Sequence, residues 1–370
     1  MFQYEEGSVQ RITREGDDFQ EVVVLIEGEE AKAFSYPHLT GRVQPGERVW
    51  LNTTAVRLGL GTGGYHFVMA KCDRKQEKGE QPGHIMKLRY TPWQFPVLAV
   101  EEEASPHHST VNSFTSLEGI PVLVGTLHSM VVPALLAFHG YSPRRRVVYI
   151  MTDGAALPLS FSDTVRRLKA KGLFAATITC GHAFGGDLEA VNIYSALAAA
   201  KTVAGAELII VTMGPGIVGT GTKYGFSGIE QAYILEAVQR LGGYPIAIPR
   251  ISFADSRARH RGISHHSRTA LGELTFATAL IALPDWKDER MEILARQIEE
   301  SGLAKHHLYQ LEVPALSALM DAYDLPVKTM GRSYHEDPAF FETAAVAGVL
   351  ALNLLGGELG NLRNWGREEG

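Results

Sequence analysis

Two stretches, Val147-Val148-Tyr149-Ile150-Met151 and Leu208-Ile209-Ile210-Val211, decide the fold. Each has the length of a strand and no polar position. A strand with one wet face alternates apolar and polar residues, so an unbroken apolar run is buried on both faces, the mark of a parallel sheet covered by helices. Working outward, 121–125, 174–179, 244–248, 278–283 and 307–313 are further strand candidates. Helical periodicity falls between them, at 160–171, 188–204, 225–241 and 290–301. Strands alternating with helices predict a doubly wound, mostly parallel, Rossmann-like α/β domain.

The N-terminal residues read differently. Short β-rich runs at 8–12, 21–26, 31–36, 48–52 and 65–72 are separated by Gly28, Pro37, Gly41, Pro45-Gly46 and Gly61-Thr62-Gly63-Gly64. Such spacing predicts a small β-barrel of the OB or SH3-like type. The charged stretch 73–84 reads as a linker. The expected domains are therefore a barrel over 1–72 and the α/β domain over 85–370. An apolar helix over 339–355 is expected to cap the sheet or to pack on another subunit, and a homo-oligomer is the base-rate expectation.

With 35 Lys+Arg against 41 Asp+Glu, the chain has a formal net charge of -6, which argues against a nucleic-acid partner. The apolar stretch 121–138 is broken by Gly125, Thr126, His128, Ser129 and Pro133, so it reads as a strand followed by a helix and no membrane span is expected. The acidic start Met1-Phe2-Gln3-Tyr4-Glu5-Glu6 does not resemble a signal peptide. Cys72 and Cys180 have no metal-binding spacing and are expected as free thiols, in keeping with a cytoplasmic location.

Ligands of open α/β sheets bind beyond the carboxyl ends of the strands, and there the polar residues and glycines concentrate. The run 214–228 contains Gly214, Gly216, Gly219 and Gly221, with Thr222, Lys223 and Ser227 as added donors; backbone N–H groups in such a run can cradle an oxyanion. It is neither a dinucleotide fingerprint, since glycines continue past Gly219, nor a P-loop, since Thr222-Lys223-Tyr224 stands where Lys-Ser/Thr is needed. A purely structural loop is equally compatible with it. The segment 255–268 holds four arginines and three histidines. Arg257, Arg259 and Arg261 are expected to clamp an anion, and His265 or His266 to act as a general base. Adjacent histidines in an extended chain point apart, so a shared metal would need a bent backbone there.

Asp153, Asp187 and Glu189 at loop turns could bind Mg²⁺ or serve as acid and base, although Asp187 reads equally well as the N-cap of a helix beginning at Leu188. His182, flanked by Gly181, is the better of the two lone histidines after strands; His128 reads as a hydrogen-bonded core residue.

A longer set of strings carries a resemblance. Leu51-Asn-Thr-Thr-Ala55, Leu58-Gly-Leu-Gly-Thr-Gly-Gly64, Glu103-Ala-Ser-Pro-His-His108, Met151-Thr-Asp-Gly154, Ala183-Phe-Gly-Gly-Asp-Leu-Glu189, Gly219-Thr-Gly-Thr222, Gly225-Phe-Ser-Gly228 and His260-Arg-Gly-Ile-Ser-His-His-Ser267 are similar to the bacterial family catalogued as domain of unknown function 3866. The resemblance runs from the barrel to Met330-Gly331-Arg332. It implies no activity, substrate or cofactor and carries over no catalytic residue. From the chemistry alone, the leading expectation is a hydrolase or transferase acting on an anionic or phosphorylated small molecule. The alternative is a non-catalytic ligand sensor or partner-binding module.

Overall fold

The structure is a computed structural model, and it describes residues 2–73 and 83–365. Most of the expected linker 73–84 lies outside the described residues. By contacts the chain divides into two units, Met1–Val97 and Leu98–Gly370.

In the first unit five strands, β1 (Tyr4–Glu15), β2 (Gln20–Ile26), β3 (Glu29–Ser35), β4 (Arg48–Asn52) and β5 (Tyr65–Lys71), close into a barrel of order β1-β2-β3-β5-β4. Only β3 and β5 pair in parallel. This closed five-stranded arrangement is the small N-terminal β-barrel expected. Its core is Val9, Val22, Val24, Ala33, Val49, Leu51 and Val68, the inward positions of alternating strands. A short hairpin, β6 (Ile85–Lys87) with β7 (Phe95–Val97), belongs to this unit, whereas the sequence assigned residues from 85 onward to the α/β domain.

In the second unit, β8 (Pro121–Gly125), β9 (Val147–Thr152), β10 (Ala176–Cys180), β11 (Leu188–Ala190), β12 (Leu208–Met213) and β13 (Tyr244–Ile248) are followed by a two-residue hairpin, β14 (Ile251–Ser252) with β15 (Gly262–Ile263). Then come β16 (Leu280–Pro284), β17 (His307–Leu311) and the two-residue β18 (Arg363–Asn364). The sheet order is β11-β10-β9-β12-β8-β13-β16-β17-β18. Every pairing is parallel except that of β18 with β17. The fold is thus Rossmann-like α/β, with β12 inserted between β9 and β8. All residues of β8, β9 and β12 are buried, as their unbroken apolarity requires.

Helices cover both faces. On one side Val131–Tyr141 and Pro338–Leu355 pack with Leu123, Tyr149, Ile210 and Ile248. On the other, Ile193–Thr202 and Glu230–Arg240 pack with Val122, Val148, Ile209 and Ala247. Pro338–Leu355 is long and apolar enough to cross a membrane by length and composition. Here it fills the core of its own unit: Phe340, Phe341, Ala344, Val346, Leu350 and Ala351 are buried against the sheet side.

One helix differs from expectation. The periodic stretch 188–204 begins with β11, and its helix starts only at Ile193, capped by Asn192, whose side-chain oxygen accepts from the Tyr194 and Ser195 N–H groups. An Asn cap outcompetes a helix start five residues earlier because it satisfies two orphan donors at once.

Candidate functional site

The ends of β9, β10, β12, β13 and β8 deliver five loops to the carboxyl edge of the sheet. Two of them meet at Asp153. This residue follows β9, and its Oδ2 accepts the His182 backbone N–H at 2.8 Å. Gly181 makes that approach feasible: at φ 66° it adopts a left-handed conformation, and a Cβ there would lie 2.2 Å from Asp153 Oδ2.

Behind Asp153 sits Glu230, the first residue of the helix Glu230–Arg240 and only 3% exposed. The Thr152 hydroxyl donates to Glu230 Oε1 at 2.5 Å, and the Tyr233 hydroxyl to Oε2 at 3.5 Å. Gly154 leaves room for this carboxylate, since a Cβ there would lie 2.7 Å from Oε2. Burial pushes the Glu230 carboxyl up to about 7; the Thr152 hydrogen bond opposes this and the negative charge of Asp153 adds to it. Burial likewise raises the Tyr233 phenol, with Glu230 and Asp153 next in effect. Two carboxylates in contrasting environments, one exposed and one buried, form a pairing capable of separate acid and base roles. The sequence hid this: Glu230 looked like an ordinary polar position early in a helix.

The second assembly lies around the segment after β13. Arg250, 4% exposed, donates to Asp255 Oδ2 at 2.9 Å. Arg257 grips the same carboxylate through Nε and Nη2 at 2.9 and 2.8 Å. Arg332 pairs with Asp337 at 3.0 Å, and Asp337 also accepts from Ser252. The Arg257 hydrogen bond first of all holds the Asp255 carboxyl well below the usual carboxylate range. Three guanidiniums thus face two carboxylates, and Arg259 stands beside them with no carboxylate partner among the described residues.

Ser264 starts a helical turn, His265–Ser267, by accepting the His266 N–H. The turn supplies the bent backbone that adjacent histidines need to converge: the rings of His265 and His266 lie 4.2 Å apart, and that of His260 is 4.9 and 5.1 Å from them. Burial, followed by the neighbouring positive charges, lowers all three imidazoles, His260 to about 3 and His266 to about 4, so they are neutral at pH 7.

The glycine-rich loop connects the two assemblies. Gly214 packs on the Ala156 carbonyl of the Asp153 loop, where a Cβ would lie 2.5 Å from the oxygen. Gly219 approaches His266, a Cβ there lying 3.1 Å from Cε1, and Phe226 stacks on the same ring at 4.0 Å and 6°. Gly219 and Gly221 then line a pocket of about 130 Å³ together with Arg250, Arg257, Arg259, His260 and His266.

Of the residues singled out in the sequence, Gly219, Gly221, Arg257, Arg259 and His266 meet in this pocket, and His265 adjoins it through the ring cluster. Asp153 and His182 meet each other. Others take different places. Asp187 lies beside the start of β10, because β11 runs parallel to β10 with Ile178 opposite Leu188. Its carboxylate accepts from Lys169 and from the Thr177 N–H and hydroxyl, so it is neither a helix cap nor a neighbour of Asp153. Glu189 accepts from Thr179 and the Gly185 N–H; the carboxylates offered for Mg²⁺ therefore do not converge. Lys223 pairs with Glu273 at 2.6 Å, and Arg261 donates to the Phe253 carbonyl. Thr222 and Ser227 close the loop on itself, through the Gly225 and Val218 N–H groups respectively, and Gly216 serves a left-handed turn at φ 102°. His128 is a core residue bonded to Ser162 and Tyr149.

A model of the family described as protein of unknown function (DUF3866) matches residues 32–348. Among curated proteins, none matches the chain.

Proposed function

The chain belongs to the DUF3866 family, and we propose that it binds an anionic small molecule, phosphorylated or carboxylated, in the pocket of Gly219, Gly221, Arg257, Arg259, His260 and His266, and transforms it as a hydrolase or transferase. The observation that carries this reading is Arg259, a guanidinium without a carboxylate partner on the wall of a pocket that also offers glycine backbone. A planar five-donor fork beside glycine backbone suits a phosphate or carboxylate better than a neutral ligand. Support for catalysis over passive binding comes from the pair Asp153 and Glu230, with the latter's proton poised near neutrality. Asp153, Asp187 and Glu189 are held by different partners and do not converge, which argues against Mg²⁺.

Isothermal titration with inorganic phosphate, pyrophosphate and sugar phosphates tests the reading. At least one of these is expected to bind, and Arg259→Ala to weaken that binding roughly tenfold or more, in line with the loss of a charge-assisted hydrogen bond. Binding to none of them, or unchanged affinity in the variant, overturns the pocket assignment. Retained binding without turnover in any phosphoryl- or acyl-transfer assay, unaltered by Asp153→Asn, would favour a ligand sensor.

A further inference from the structure

We infer that His260, His265 and His266 form a three-imidazole site for a zinc-class divalent ion, with the ion's fourth position open to the anion pocket. Among the described residues, one ligand atom from each of the three lies within 4.8 Å of the others. Two ring nitrogens there, Nε2 of His265 and Nδ1 of His266, are buried and have no hydrogen-bond partner, although His266 is only 7% exposed. A buried imidazole nitrogen without a partner loses its hydration for nothing in return, and a bound cation would satisfy it.

The surroundings fit an ion held by these rings. Around a tetrahedral zinc, with bonds of about 2.0–2.1 Å, ligand nitrogens sit roughly 3.4 Å apart, a spacing that the three nitrogens, already within 4.8 Å of one another, approach. The ring of His266 is pinned by stacking on Phe226. At His260 the nearer partner of Nδ1 is Ser264 Oγ at 2.7 Å; in the tautomer whose Nδ1–H donates to Ser264, the Arg250 contact at 3.3 Å is not a hydrogen bond and Nε2 is free to ligate. The donor set is all nitrogen, which selects zinc or its transition-metal neighbours and not Mg²⁺. Three protein ligands leave one position open, the pattern of catalytic zinc.

Arg250, Arg257 and Arg259 line the same pocket as His260 and His266, and Arg250 lies 3.3 Å from His260 Nδ1. Their charge disfavours a bare cation, so an anionic oxygen in the fourth position would stabilise both ion and guanidiniums. What fills that position rests on the proposed anion binding; the three-imidazole site itself does not.

The test is titration of chelator-treated protein with Co²⁺ in phosphate-free buffer, read by the visible ligand-field absorption, with Zn²⁺ retained after dialysis counted by elemental analysis. One equivalent per chain, with the intense band of tetrahedral cobalt, is expected. His265→Gln, at the least buried of the three, should lower metal affinity by at least tenfold, and His266→Gln likewise where it folds. Binding well below one equivalent, or equal binding by wild type and His265→Gln, overturns the site. Phosphate titration of the chelator-treated protein is read separately. Phosphate binding without metal binding refutes the metal site alone, and metal binding without phosphate binding refutes the anion pocket alone.

Discussion

Glu230 couples the candidate site to folding. An unfolded glutamate releases its proton near the ordinary value of 4.5, whereas the buried one holds it to about 7. Between those values the native state binds the extra proton, so the contribution of this group to stability falls as pH rises through that window, by about 3 kcal/mol in all. Glu230→Gln, neutral in both states, removes the effect. Its melting temperature is expected to fall less than that of wild type between about pH 5 and pH 7.5, and parallel slopes would show that Glu230 is ionised throughout. Asp255 has the opposite character. It holds two guanidiniums, one of them buried, so Asp255→Asn strands Arg250 and should cost about 3–5 kcal/mol by chemical denaturation. Arg259→Ala, at an exposed side chain without a carboxylate partner, should change stability by less than about 0.5 kcal/mol. That contrast separates the residue that builds the pocket from the one available to a ligand.

At the scale of elements, glycine is used for close approach. Gly348, in the helix Pro338–Leu355, faces the helix Val131–Tyr141 so tightly that a Cβ would lie 2.2 Å from the Ala134 carbonyl oxygen. Both partners are backbone, so neither can yield by changing rotamer. Gly348→Ala should cost about 1–3 kcal/mol despite its better helix propensity, and a neutral or stabilising result would mean that the helices separate without loss. Legibility followed the same physics. The strands at 121–125, 147–151, 208–213 and 244–248 were readable because burial on both faces leaves an unbroken apolar signature. The short β11 was not, since three residues ahead of a helix carry no period of their own. The glycine loop and the Arg/His segment were visible as compositional outliers. Their meeting at one edge followed from the rule that ligands bind beyond the carboxyl ends of the strands; the convergence of the three imidazoles did not, because sequence spacing says nothing about the turn at Ser264. Glu230 left no trace, since its distinction is the burial that Thr152, Gly154 and Tyr233 provide from distant points in the chain.

For the molecule as a whole, the two units have separate apolar cores, and everything proposed for the site belongs to the α/β unit alone. The insertion of β12 between β9 and β8 has a consequence for how that unit comes into being on the ribosome. Both neighbours of β8, which are β12 and β13, follow it in the chain. When β9 and β10 have emerged and paired, the wholly apolar β8 still has no strand beside it. More than eighty residues separate the end of β8 from the start of β12, a wait on the order of ten seconds at about 5–20 residues per second. The first strand of the sheet is therefore locked in place only after β9, β10, β11 and β12 have emerged, and until then the nascent chain presents a sticky ribbon to chaperones and to neighbouring copies of itself.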